Sequence, residues 1–75
     1  MVYIVRAQVF DRDAELEVYR TEVEAMARAH ALQAAYDRAG GEWQVGWTSD
    51  GYELTWYSDE DDDDYIFVSV VPIDL

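Results

Sequence analysis

The chemistry open to this 75-residue chain is almost all carboxylate chemistry, since it holds seventeen Asp and Glu, one histidine and no cysteine. Six of the acids, Asp59, Glu60, Asp61, Asp62, Asp63 and Asp64, follow one another in "SDEDDDDY". Calcium takes several oxygen ligands, but a calcium-binding loop alternates ligands with spacers, bends at a glycine and closes on a glutamate. This run has neither the spacing nor the glycine, so no metal site is expected. A pair of carboxylates working as acid and base needs environments that separate their pKa values, and nothing in the sequence selects one pair out of seventeen acids. A nucleophilic serine needs a base beside it. Ser49, Ser58 and Ser69 fall in a turn, in the acidic run and in a strand, and His30 falls in the middle of a helix. No glycine-rich phosphate loop, zinc spacing or basic stripe is present. The expectation is a protein without catalytic residues, metal or cofactor.

The acidic run has a physical cost. Carboxylates about 4 Å apart repel by roughly 1 kcal/mol per pair even in bulk water, and a Debye length of about 8 Å at physiological salt leaves neighbours in the run unscreened. The run supplies half of the net charge of −12, with the other eleven acids outweighing five arginines to supply the rest. Charge beside apolar strands is a common guard against edge pairing, and two or three acids would serve that purpose. A field of this sign repels nucleic acid and anionic lipid and attracts basic surfaces.

Composition limits the architecture that can carry these charges. Half of the residues are apolar and eleven are aromatic, including Trp43, Trp47 and Trp56, too hydrophobic for the disordered acidic class. The chain is expected to fold as one domain over 1–75, held by aromatic packing because no disulfide is available. The run of about ten residues at the amino terminus contains Arg6 and is too short to span a bilayer. The sequence therefore reads as a soluble cytoplasmic protein. All cations are arginine, and lysine and asparagine are absent, which suggests a GC-rich bacterial or phage origin.

Periodicity predicts an α+β fold in the order ββ-α-ββ-β, an antiparallel sheet of about five strands with one helix across one face. Residues 2–10 and 14–20 alternate as strands. A tight turn at Asp11-Arg12 would pair Val9 with Ala14, Ala7 with Leu16 and Val5 with Val18 on the core face, and Arg6 with Glu17 outside; that turn has no glycine, which leaves a slightly wider loop as the alternative. "TEVE" at Thr21–Glu24 reads as a capping box, with the Thr21 hydroxyl on the Glu24 amide and the Glu24 carboxylate on the Thr21 amide. A helix should follow to about Ala39 and stop at Gly40-Gly41. Ala25, Met26, Ala29, Leu32 and Tyr36 share its inner face, where the alanines would allow close approach over tryptophans, and Val23, Ala27, His30 and Ala34 lie opposite.

"TSDGY" predicts a hairpin turning on Asp50-Gly51. That register pairs Trp47 with Leu54 and Val45 with Trp56. A last strand from Tyr65 to about Pro72 is apolar on both sides and should be central or covered on both faces. Residues 58–64 form its acidic hairpin loop. One helix leaves one sheet face bare, where Ile4, Phe10, Tyr19, Tyr57 and one row of the last strand are expected.

The chemistry that this scaffold allows is recognition. Along a strand, same-face side chains repeat at about 6.6 Å, so Asp13, Glu15 and Glu17 form a short anionic row of the same order as successive phosphates along a nucleic-acid strand. Asp59 to Asp64 add a denser patch. Together they suit the basic groove of a nucleic-acid-binding protein, with Tyr19 or Tyr57 standing in for a stacked base or filling an apolar hot spot. In size and composition alone, the chain resembles the small acidic inhibitors that phages use against restriction and CRISPR nucleases, and no motif ties it to any one such family. The alternative is a structural or assembly protein that homodimerises through the bare sheet face, its acidic loop serving only solubility.

Overall fold

A computed structural model describes residues 1–10, 12, 14–48, 51–60 and 64–74. The elements run β1 (Val2–Val9), β2 (Glu15–Tyr19), α1 (Glu22–Tyr36), β3 (Gly41–Thr48), β4 (Gly51–Ser58) and β5 (Tyr65–Ile73). The strands form one antiparallel sheet in the order β2-β1-β5-β4-β3, and α1 packs against one face of it. The expected α+β architecture is present.

The doubly apolar pattern of β5 puts it in the centre, between β1 and β4. Its Ile66, Val68 and Val70 meet Val9, Ala7 and Val5 on one side and Trp56, Leu54 and Tyr52 on the other. Except for half-buried Val9, all of these side chains are buried. Ala25, Ala29 and Leu32 complete the core from the helix, with Met26 and Tyr36 at its margin, which is the inner face that the 3.6-residue period selects.

The helix begins as the sequence predicts. Thr21 Oγ1 accepts from the Glu24 amide at 3.2 Å. The return arm differs, because the Thr21 hydroxyl donates to Glu24 Oε1 at 3.0 Å, so the carboxylate ends on the hydroxyl instead of the Thr21 amide. The helix also stops early, at Tyr36, with Asp37 extended. Two contacts hold the following residues out of helical register. Asp37 Oδ1 accepts from the Trp43 indole at 2.9 Å, and the Arg38 guanidinium lies over the rings of Phe10 and Trp56. The left-handed residue is Gly40, at φ 89, while Gly41 already belongs to β3.

Two hairpin registers differ from the expected ones, with different consequences. In the first, Arg6 stands opposite Leu16 and Val5 opposite Glu17, one residue away from the predicted pairing. A one-residue slip exchanges faces. Glu15, Glu17 and Tyr19 therefore lie on the helix side, and Leu16 and Val18 lie on the bare side, each 64% exposed. The cause is a connection wider than two residues, in which Phe10 takes a left-handed φ of 55. That turn also corrects the placement of Phe10, whose ring meets Arg38 instead of the bare face.

In the second hairpin, Trp47 pairs with Tyr52, Val45 with Leu54 and Thr48 with Gly51. The pairing has moved by two residues, so every side chain keeps its face. The expected turn lies in part outside the described residues, since Ser49 and Asp50 separate Thr48 from Gly51. Trp43, Val45 and Trp47 do share the helix side. However, α1 lies over β5, β1 and β2, and of these three side chains Trp43 alone packs at the margin of the core. Val45 and Trp47 are left 59% and 71% exposed.

Candidate functional site

The connection after β1, the segment between α1 and β3, and the acidic connection between β4 and β5 all meet at one end of the sheet. Backbone hydrogen bonds tie them together: Phe10 N–H donates to Tyr65 O at 2.8 Å, Asp59 N–H to Gly40 O at 2.8 Å and Ser58 N–H to Asp64 O at 3.2 Å. The Glu60 amide donates to Ser58 Oγ at 3.2 Å. The bonds form because β1, β5 and β4 are adjacent and their ends coincide, so the first residues past each strand extend the ladders. Asp59 and Glu60 are exposed there, and Asp64 is half-buried. Asp13, Asp61, Asp62 and Asp63 lie outside the described residues.

The remaining expected site residues separate into three groups. Tyr57 belongs with the acidic end: it lies on the bare face, 48% exposed, opposite Tyr65 and one residue before Ser58. Glu15 and Glu17 share the helix side of edge strand β2, as their alternation requires. Tyr19 is on that side too, which corrects its expected place on the bare face, and it stands opposite Tyr3 at the other end of β1. Tyr19 and Tyr57 are therefore at opposite ends of the sheet and on opposite faces.

The Glu17 carboxylate already has partners within the chain. Tyr19 Oη donates to Glu17 Oε1 at 2.6 Å, and Arg28 Nε reaches both carboxylate oxygens at 3.1 Å. The Tyr19 bond, with help from the Arg28 bond and charge, pulls the Glu17 pKa down against the smaller opposing effect of burial. The same bond raises Tyr19, and the Glu17 carboxylate raises Arg28. Arg28 pins the helix to the edge strand at this point, so Glu17 is a fastener more than an open anion. Among the described residues this is the one ion pair, and it involves none of Asp59, Glu60 and Asp64.

His30 is exposed on the helix. Its Nδ1 is 3.3 Å from Gln33 Oε1 and its ring is tilted toward Tyr52. Among the described residues no three His, Asp or Glu side chains converge as metal ligands, and no helix is long and apolar enough to cross a membrane.

Sequence reasoning missed two surfaces. On the bare face, Leu16 and Val18 of β2 lie near Ile4, which faces Val18 on one side and Val71 on the other. Arg6 crosses the middle of this face, bonded to Gln8 at 2.8 Å and lying over the Phe67 ring. On the helix side, Trp47, Tyr52, Met26, Tyr3, Met1 and Pro72 border an apolar groove of about 250 Å³. The absence of glycine at Asp11-Arg12 was the available signal for the first surface. For the second the sequence held no signal, because periodicity does not say which strands a single helix covers.

No protein-family model, curated protein or solved structure matches this chain.

Proposed function

We propose that this chain is an acidic protein-binding module that occupies the basic groove of a nucleic-acid-binding protein, as a nucleic-acid mimic. The observation that supports it is the exposure of Asp59 and Glu60 on an end fastened to three parts of the fold, with no described cation paired to them. Pinned anions lose little conformational freedom on binding, and charge at a rim chiefly governs encounter rate and salt dependence. Tyr57, one residue before that end on the bare face, supplies an aromatic contact of the kind that concentrates binding energy. The sequence-adjacent Asp61, Asp62 and Asp63 extend the charge. Glu15 adds to it from the helix side, whereas Glu17 contributes less because Arg28 neutralises it.

The test is a binding titration against basic nucleic-acid-binding proteins, nucleases and repressors among them, at rising salt and with competing DNA. Binding should weaken steeply with salt, DNA should compete, and changing Asp61–Asp64 to Asn should abolish the complex. Binding unaffected by that variant would place the contact elsewhere.

A second reading, self-association through the bare sheet face, draws support from Leu16 and Val18, both exposed beside Ile4. In that case Leu16→Asp lowers the mass measured in solution and the neutralised loop does not.

A further inference from the structure

The two edges of the sheet are protected to very different degrees. An edge strand offers unpaired backbone groups to any other strand, and natural proteins blunt it with short length, charge, proline or a bulge. β2 has five residues, with Glu15 and Glu17 on one face. Paired with its own copy about its centre, it would set Glu17 against Glu17. β3 has eight residues, "GEWQVGWT", with one charge near its beginning and no proline, and β4 is its one neighbour in the sheet.

We propose that β3 is a self-pairing edge, and that two copies join antiparallel through it about Val45 to make a continuous ten-stranded sheet. The register is self-complementary. Centred on Val45, it sets Trp43 opposite Trp47 of the second copy, Gln44 opposite Gly46 and Glu42 opposite Thr48, so no like charges face each other. A two-fold axis midway between the two Val45 residues stands perpendicular to the sheet, which keeps both helices on one side. Trp47 and Val45, which α1 leaves uncovered, gain neighbours across the seam in the way that aromatic and β-branched cross-strand pairs stabilise a sheet.

The charge of −12 per copy does not forbid this arrangement. Asp59 is bonded to Gly40 at the start of β3, and antiparallel pairing sends the two starts to opposite ends of the seam. At about 3.4 Å per residue the two starts are separated by roughly 27 Å along the strand, more than three times the Debye length of about 8 Å at physiological salt. The interface is distinct from both the acidic end and the bare face.

The chain has no cysteine, so one introduced thiol reports its own surroundings. Purified Val45→Cys should be joined into a covalent dimer by a short bis-maleimide, while Leu16→Cys on the bare face stays single. Sedimentation equilibrium should give a dimer whose dissociation constant falls as salt rises, the reverse of the trend for a complex with a basic protein. Val45→Glu, which sets like charges face to face, should weaken the dimer at least tenfold while leaving the circular dichroism spectrum unchanged. A wild-type monomer at several hundred micromolar, or Val45→Cys linking no faster than Leu16→Cys, overturns the proposal.

Discussion

Replacing Gly41 by alanine tests the packing at the acidic end through the sign of its effect. Gly41 lies in β3, outside the left-handed region, where an alanine ordinarily gains about 0.4–1 kcal/mol by restricting the unfolded chain. Here a β-carbon would overlap the edge of the Trp56 indole and the carbonyl oxygen of Tyr57. Trp56 is buried and pinned between the core and Arg38, so its ring has little room to retreat. Overpacking of this kind costs typically about 1–3 kcal/mol. The net effect should be a loss of about 1–2 kcal/mol, a fall in Tm on the order of 5–10 °C for a chain of this size.

Urea unfolding followed by circular dichroism measures the effect on its own, and a double-mutant cycle with Trp56→Leu assigns it. Trp56→Leu alone destabilises, but in that background the cost of Gly41→Ala should shrink, because the clashing ring has gone and only the overlap with the Tyr57 carbonyl oxygen remains. If the cost of Gly41→Ala is the same in both backgrounds, the indole is not what excludes a β-carbon and the account of this corner is wrong.

Leu54 is fully buried, between Val45 and Val68 on the neighbouring strands. Leu54→Ala should cost about 2–5 kcal/mol, read as a lower urea midpoint at unchanged slope. Thr21→Ala removes the hydroxyl that accepts from the Glu24 amide and should cost about 1 kcal/mol, visible as a lower thermal midpoint. Glu17 has a pKa lowered in the folded state, so its contribution is fully present above the usual carboxylate range and is lost as pH falls through the depressed value. The stability difference between wild type and Glu17→Gln, followed by thermal melts across acidic pH, should shrink to zero at the acid end. A constant difference would separate it from the Tyr19 and Arg28 bonds.

Local chemistry in the sequence was enough for each element's type and for the inward face of the helix. Thr21 and Glu24 mark the helix start, Ala25, Ala29 and Leu32 mark its buried side, and the doubly apolar run after Asp64 marks the central strand, because periods of 3.6 and 2 are properties of a short segment. Pairing is not such a property. The width of the loop after Phe10 moved Leu16 and Val18 to the bare face and Glu17 to Arg28, and the two-residue shift between β3 and β4 left the faces alone only because it was even. Tertiary structure alone decided that the strand ends gather the acidic connection beside Gly40, and that the single helix settles over β1 and β5, leaving Trp47 and Val45 in the open. These outcomes depend on how whole elements share one limited apolar area, a competition that no single stretch of sequence records.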